Sequence, residues 1–206
     1  MKWLTVIALI VIACRAPAQD AYVRLRAELE RIHELDQRDR ENIGHYGVGT
    51  AERDSVNHHL IFQDSLNTLR VRAILDSAGW LGPEEVGARA SSALFLVIQH
   101  ADLATQETYL PEARLAVEEG KLAASSSALL EDRIEMRNGR PQIYGSQVRV
   151  ENGKSTLWAI RDEETVNERR ASVGLGLLEE YAARFGINWS PAKKQDRVLL
   201  LGPVEE

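Results

Sequence analysis

The sequence predicts a mainly α protein, a single helical domain of about five to six helices with a small β-hairpin near residues 143–160. Three observations predict it. Apolar residues recur at three- and four-residue intervals through most of the chain, the period of a helix with one buried face. The segments so patterned start near Ser, Asp or Pro and stop at Gly or Asn-Gly, residues that satisfy or interrupt helix ends. Only around Asn152-Gly153, a favoured hairpin turn, do β-prone runs flank the punctuation on both sides. At 206 residues, with no repeat, linker or composition break, one domain with a substantial core is expected.

Taken in order, Met1-Lys2 is a short positive start and Trp3 to Ala13 an eleven-residue apolar run. The run is too short for a stable membrane anchor and fits an export signal. Two processing routes stay open. Ala16-Pro17-Ala18 is a small-x-small cleavage site, making 1–18 a signal peptide and 19–206 the domain. Val11-Ile12-Ala13-Cys14 instead resembles a lipobox, making 1–13 the signal and Cys14 a lipidated first residue. Either route takes the protein out of a bacterial cytoplasm, to a periplasmic, secreted or envelope-anchored location. Membrane association is expected only through the signal or the Cys14 lipid.

Helix one is expected over 21–42, ending in Gly44-His45-Tyr46-Gly47-Val48-Gly49, and helix two over 51–78, stopped by Gly79. Helix three begins at Gly82-Pro83-Glu84-Glu85, where proline and acids suit the free amides of a first turn, and runs to about Thr108. Pro111 opens a short helix closed by Gly120. Ser125 caps another that stops at Asn138-Gly139. Strands follow over 143–151 and 154–160. Asp162 caps a last long helix to about Arg184, and 198–201 is a short strand-like run.

Composition limits the partners. The formal charge is −6, and removing 1–18 with Lys2 and Arg15 makes it −8. Nucleic acid is not expected, because phosphate binding needs a basic surface. One Cys makes neither an internal disulfide nor a cysteine-based zinc site.

At 100° per residue, the helices place polar groups inside apolar stripes. In helix two, Asp64 and Asn67 lie between Leu60 and Val71. In helix one, Leu25, Leu29 and Ile32 lead into Asp36 and Arg40. Helix three carries the unbroken run Ala93 to Ile98, so it is expected to be covered on all sides; Gln99, Asp102 and Gln106 then share one face, with His100 rotated from it. Asp132 and Arg133 straddle the side bearing Leu129 and Met136, and Arg170 joins Val166, Val173, Leu177 and Tyr181. Such groups buried alone cost several kcal/mol each, so they satisfy one another or line a cavity. An internal polar pocket is the expectation.

The segment Ala93 to Asp102, with Gln106 and Leu110-Pro111, resembles a family of uncharacterised bacterial proteins, domain of unknown function 6624. So do Glu131-Asp132-Arg133, Gln142 to Gln147, Val166 to Arg170, Asp36-Gln37 with Arg40, and Gly79-Trp80. Ser146 stands where the family more usually has threonine, which keeps the hydroxyl. The resemblance implies bacterial origin and often an export signal; it implies no activity and no cofactor.

Read from their chemistry, His100, Asp102 and Asp132 are the candidate catalytic groups, and Asp64, Gln99, Arg133, Gln142, Tyr144, Gln147 and Arg170 the candidate ligand-binding groups. His100 suits a general acid or base. Asp102, two residues on, points away from it on a regular helix, so a carboxylate from another helix, such as Asp64 or Asp132, is expected to orient it; a merely packed histidine is the alternative. Asp132-Arg133 reads as a carboxylate-held anion-binding arginine or as an ordinary ion pair. Arg170 reads as an anion clamp or a structural bridge. Gln142-x-Tyr144-Gly145-x-Gln147 reads as a recognition edge, with Gln142 and Tyr144 on one strand face, or as a corner held by side-chain amides. No metal is assigned, since HExxH and EF-hand spacings are absent, and His58-His59 are expected at the surface. The expected partner is a small anionic or polar ligand. The competing reading is a non-catalytic envelope or interaction domain whose buried network is structural.

Overall fold

A computed structural model describes residues 3–191 apart from 48 and 152, with side chains described from residue 21 onward. The chain is mainly helical, with eight α-helices and one two-stranded antiparallel hairpin among the described residues. Its contacts divide it into two compact units, residues 1–105 with 115–122, and residues 106–114 with 123–206. The lipobox cysteine side chain, Asn152 of the turn and the 198–201 run lie outside the description.

In the first unit, α1 (Trp3–Asn42) packs on α2 (Ala51–Ala78), α3 (Pro83–Val86) and α4 (Ala88–His100). A short 3-10 turn, Ile43–His45, follows α1. Helix α2 has the bounds the sequence predicts, for local reasons. Thr50 accepts a hydrogen bond from Arg53 N–H at its start, and Gly79 takes φ = 69° at its end, a conformation that favours glycine. Pairing of Arg70 with Glu28 and of His59 with Asp39 runs α2 antiparallel to α1. As expected, α4 is buried nearly all round, through Ala90, Ala93, Leu94, Val97 and Ile98. Among the described residues no helix is long and apolar enough to cross a membrane.

Helix three of the sequence reading is interrupted twice. Gly87 separates α3 from α4, and α4 ends at His100 where Asp102 begins α5 (Leu103–Glu118). Pro111 lies inside α5 rather than opening a helix.

In the second unit, α6 (Ala124–Arg137) is preceded by Ala123, not capped by Ser125. The hairpin is shorter than expected: β1 (Val148–Glu151) pairs with β2 (Lys154–Leu157) in the register Val148 to Leu157. Residues 143–147 do not extend β1, because the amides of Ile143, Tyr144 and Ser146 donate to Asp132 of α6 and that of Gln147 to the Gln142 side chain. The last predicted helix is a 3-10 turn, Glu163–Thr165, then α7 (Val166–Ser172) and α8 (Leu178–Ala183); Gly174 and Gly176 lie in the break. Ile160, Val166 and Leu178 form the core here, with Leu157, Tyr181 and Trp189 against it.

Candidate functional site

The predicted site residues divide between the two units, Asp64, Gln99, His100 and Asp102 in the first, the other six in the second.

In the first unit, His100 ends α4. Its Nδ1 donates to Oδ1 of Asp36 on α1 at 3.0 Å. The orienting carboxylate is therefore Asp36, not Asp64 or Asp132. Asp36 is 1% exposed. Its second oxygen accepts from Gln37 Nε2 at 2.6 Å, and Arg40 lies 4.0 Å away. Burial pushes the Asp36 carboxyl up, but the bond and charge of His100, the charge of Arg40 and the Gln37 bond prevail and hold it below the ordinary value. Asp64 is engaged elsewhere: both its oxygens accept from Arg40 Nη2, at 2.9 and 2.8 Å. The helical repeat puts Asp36 and Arg40 on one face of α1, and that face supplies both partners.

His100 and Asp64 border a cleft of about 370 Å³. Helix α2 forms one wall with Ile61, Asp64, Ser65, Thr68, Leu69 and Arg72, which recur at three- and four-residue spacing; His100, Ala101 and Asp102 complete it. Among the described residues, Nε2 of His100 has no hydrogen-bond partner, and Arg72 has neither a hydrogen bond nor an ion pair. Gln99 is buried on α4 and does not line this cleft.

Asp102 caps α5. One oxygen accepts from the Thr105 N–H at 2.9 Å and the other from its hydroxyl at 3.1 Å. The amide bond first, then the hydroxyl and the charge of Arg72, hold its carboxyl low against a smaller desolvation effect. The face shared by Gln99, Asp102 and Gln106 on one continuous helix does not exist, because the helix restarts at Asp102. Asp102→Ala should cost about 1 kcal/mol in urea unfolding, and Asp102→Asn only a few tenths, as for an N-cap.

In the second unit Asp132 is fully buried on α6. Oδ1 accepts from the Ile143 and Tyr144 amides at 2.6 and 2.9 Å, and Oδ2 from the Ser146 amide at 2.8 Å. Burial pushes its carboxyl above the ordinary value despite these donors. Gln142, also fully buried, donates from its side chain to the Gln147 and Trp158 carbonyls and accepts from the Gln147 amide, while its main chain bridges Ile160. Gln147 also donates to Ser146 Oγ and accepts from Arg133 Nε at 3.2 Å. Arg170 donates to the Tyr144 and Gly176 carbonyls at 2.7 and 2.6 Å and lies over the Tyr181 ring. Burial lowers its guanidinium pKa. Tyr144 is half-buried; burial, with the charges of Glu131 and Asp132, raises its phenol. Gly145 sits at φ = 74° where a Cβ would meet Leu178 at 2.9 Å, so the turn closes around α8 only with glycine.

The sequence places Asp36 and Arg40 among the polar groups of the expected pocket but assigns them no role at the site, and it does not single out Arg72. The spacing of Asp64, Thr68 and Arg72 was available as a signal. Among the described residues no group of three or more His, Cys, Asp or Glu is placed to hold a metal ion. His58 and His59 are exposed on α2, as expected.

A family model described as a family of unknown function, DUF6624, matches residues 23–188. No curated protein and no solved structure matches.

Proposed function

The chain belongs to the family of unknown function DUF6624, and we propose that it is an exported bacterial protein that takes a small polar or anionic ligand into the cleft of its first unit. His100 is the acid or base of that cleft. Asp36 fixes its tautomer and orientation, as a buried carboxylate does for a catalytic imidazole. Arg72 supplies the positive charge for an anionic group. The observation that carries the reading is one imidazole with Nδ1 tied to a buried carboxylate and Nε2 without a partner, on the wall of a cleft of about 370 Å³. That volume lies in the range of small-molecule sites.

A structural role suits the second unit. Asp132, Gln142 and Arg170 use their polar atoms on main-chain groups of the same unit, which favours a network that fixes the loop between α6 and β1 over one that receives a ligand.

A thermal-shift screen of the protein against metals, sugars, peptides and phosphorylated metabolites tests the reading. At least one class should raise Tm, and His100→Ala and Arg72→Gln should each abolish that shift with little change in the unliganded Tm. No shift from any class, or a shift that survives both substitutions, contradicts it.

A further inference from the structure

The cleft has one wall that a purely polar ligand leaves unused. Ile61 and Leu69, both 67% exposed, line it. Phe62 and Leu66, 62% and 46% exposed, lie beside them on the next ridge of α2 at four- and three-residue steps. Four large apolar side chains on two and a half turns form a continuous exposed strip, where soluble surfaces ordinarily scatter such residues singly. Leu69, at one end of the strip, is one turn from Arg72 on α2, and both line the cleft with His100.

We infer that the ligand is a single-chain amphiphile, with an anionic head at Arg72 and His100 and an aliphatic chain along this strip. This rests on the cleft being the binding site. Charge complementarity selects the anion. Asp64 is neutralised by Arg40, and Asp102 is committed to the α5 N-terminus, where the helix end offsets its charge. Arg72 makes no hydrogen bond or close ion pair among the described residues, its charge acting on Asp102 only at longer range, and it is left as the cation of the cleft. His100 Nε2 then accepts from, or donates to, the head group according to its protonation. No bond is made or broken in binding.

Calorimetric titration of the full chain with hexanoate, octanoate, decanoate and dodecanoate, below their micellar concentrations, tests the inference. Affinity should rise about two- to fourfold per added methylene, the range for partial to full burial of each group. Phe62→Gln and Leu69→Gln alter exposed positions and should fold normally. Phe62→Gln should flatten that rise while leaving hexanoate affinity unchanged, and Leu69→Gln, nearer Arg72, should weaken all four acids as well as flatten it. Arg72→Gln should weaken all four acids alike. Dodecanol and dodecyltrimethylammonium should bind at least tenfold more weakly than dodecanoate, and comparison with dodecyl phosphate decides between a carboxylate and a phosphate head. Chain-length independence in a protein that still responds to a polar ligand in the thermal screen overturns the amphiphile and keeps the site. Equal binding of the neutral and cationic amphiphiles overturns the anionic head. If Leu69→Gln instead abolishes a concentration-dependent dimer and leaves acid affinity unchanged, the strip is an interface between copies and the inference fails.

Discussion

Replacing Asp132 by alanine should lower the unfolding free energy by about 3 to 5 kcal/mol, the range for breaking a buried, charge-assisted network. The side chain is fully buried and organises three successive parts of one loop, through the amides of Ile143, Tyr144 and Ser146. Truncation leaves three donors with no acceptor in a place water does not reach, at about 1 to 3 kcal/mol each before the loop relaxes. Relief from burying a charge offsets part of the loss. Asp132→Asn separates the two effects. Its oxygen can keep the Ile143 and Tyr144 bonds, but its NH2 then faces the Ser146 amide, donor against donor. A loss of about 2 kcal/mol is expected. Urea unfolding measures both values. Hydrogen exchange should show protection lost first at the amides of Ile143, Tyr144 and Ser146, as expected for a locally opened loop.

Asp36 carries the second large effect, with the opposite dependence on pH. Its carboxyl is held below the ordinary value, so the native state favours the ionised form more than the unfolded chain does. The stability this contributes is complete above the ordinary Asp value of about 4 and is lost as pH falls below it, through the depressed native value. Asp132 is raised, so its ionisation subtracts stability as pH rises from about 4 through the native value. Asp36→Ala should therefore cost about 2 to 3 kcal/mol at neutral pH, because it strips the acceptor from His100 Nδ1 and Gln37 Nε2. It should also remove part of the acid sensitivity between about pH 5 and 3. Asp132→Asn should change the acid limb in the other direction. Chemical unfolding across that pH range, wild type against the two variants, reads both slopes.

What the sequence carried was mostly local. The limits of α2 follow from Thr50 and Gly79, and the buried sides of α4 from an unbroken apolar run. The hairpin follows from its turn. Asp102 shows the limit of helical phase: placing it on a face with Gln99 and Gln106 assumed one continuous helix. Yet an Asp with Thr three residues on is itself a capping arrangement. The break between α7 and α8 falls at Gly174 and Gly176, inside an apolar stripe from Val166 to Tyr181 that reads as one continuous helix. Other features depend on residues far apart in the chain. The shortening of β1 depends on the amides of Ile143, Tyr144 and Ser146 meeting a carboxylate on the preceding helix. The partner of His100 lies 64 residues away on α1. Periodicity shows that such a histidine faces inward, but not which of several inward-facing acids it meets. The exposed strip on α2 is not legible from the buried stripe of that helix, because Ile61, Phe62, Leu66 and Leu69 fall outside it.

The organisation of the cleft around the Asp36–His100 pair has a direct spectroscopic signature. With Nδ1–H donating to Asp36, the neutral imidazole must be the Nδ1–H tautomer, with an unprotonated Nε2 in the cleft. Long-range nitrogen–proton correlation spectra of the histidine-labelled protein, at a pH where the ring is neutral, report the tautomer. His100 should show its proton on Nδ1, and Asp36→Asn should shift the balance toward Nε2–H. A His100 ring protonated on Nε2 in the wild type, and unmoved by Asp36→Asn, would contradict the assignment of this histidine as an oriented proton acceptor.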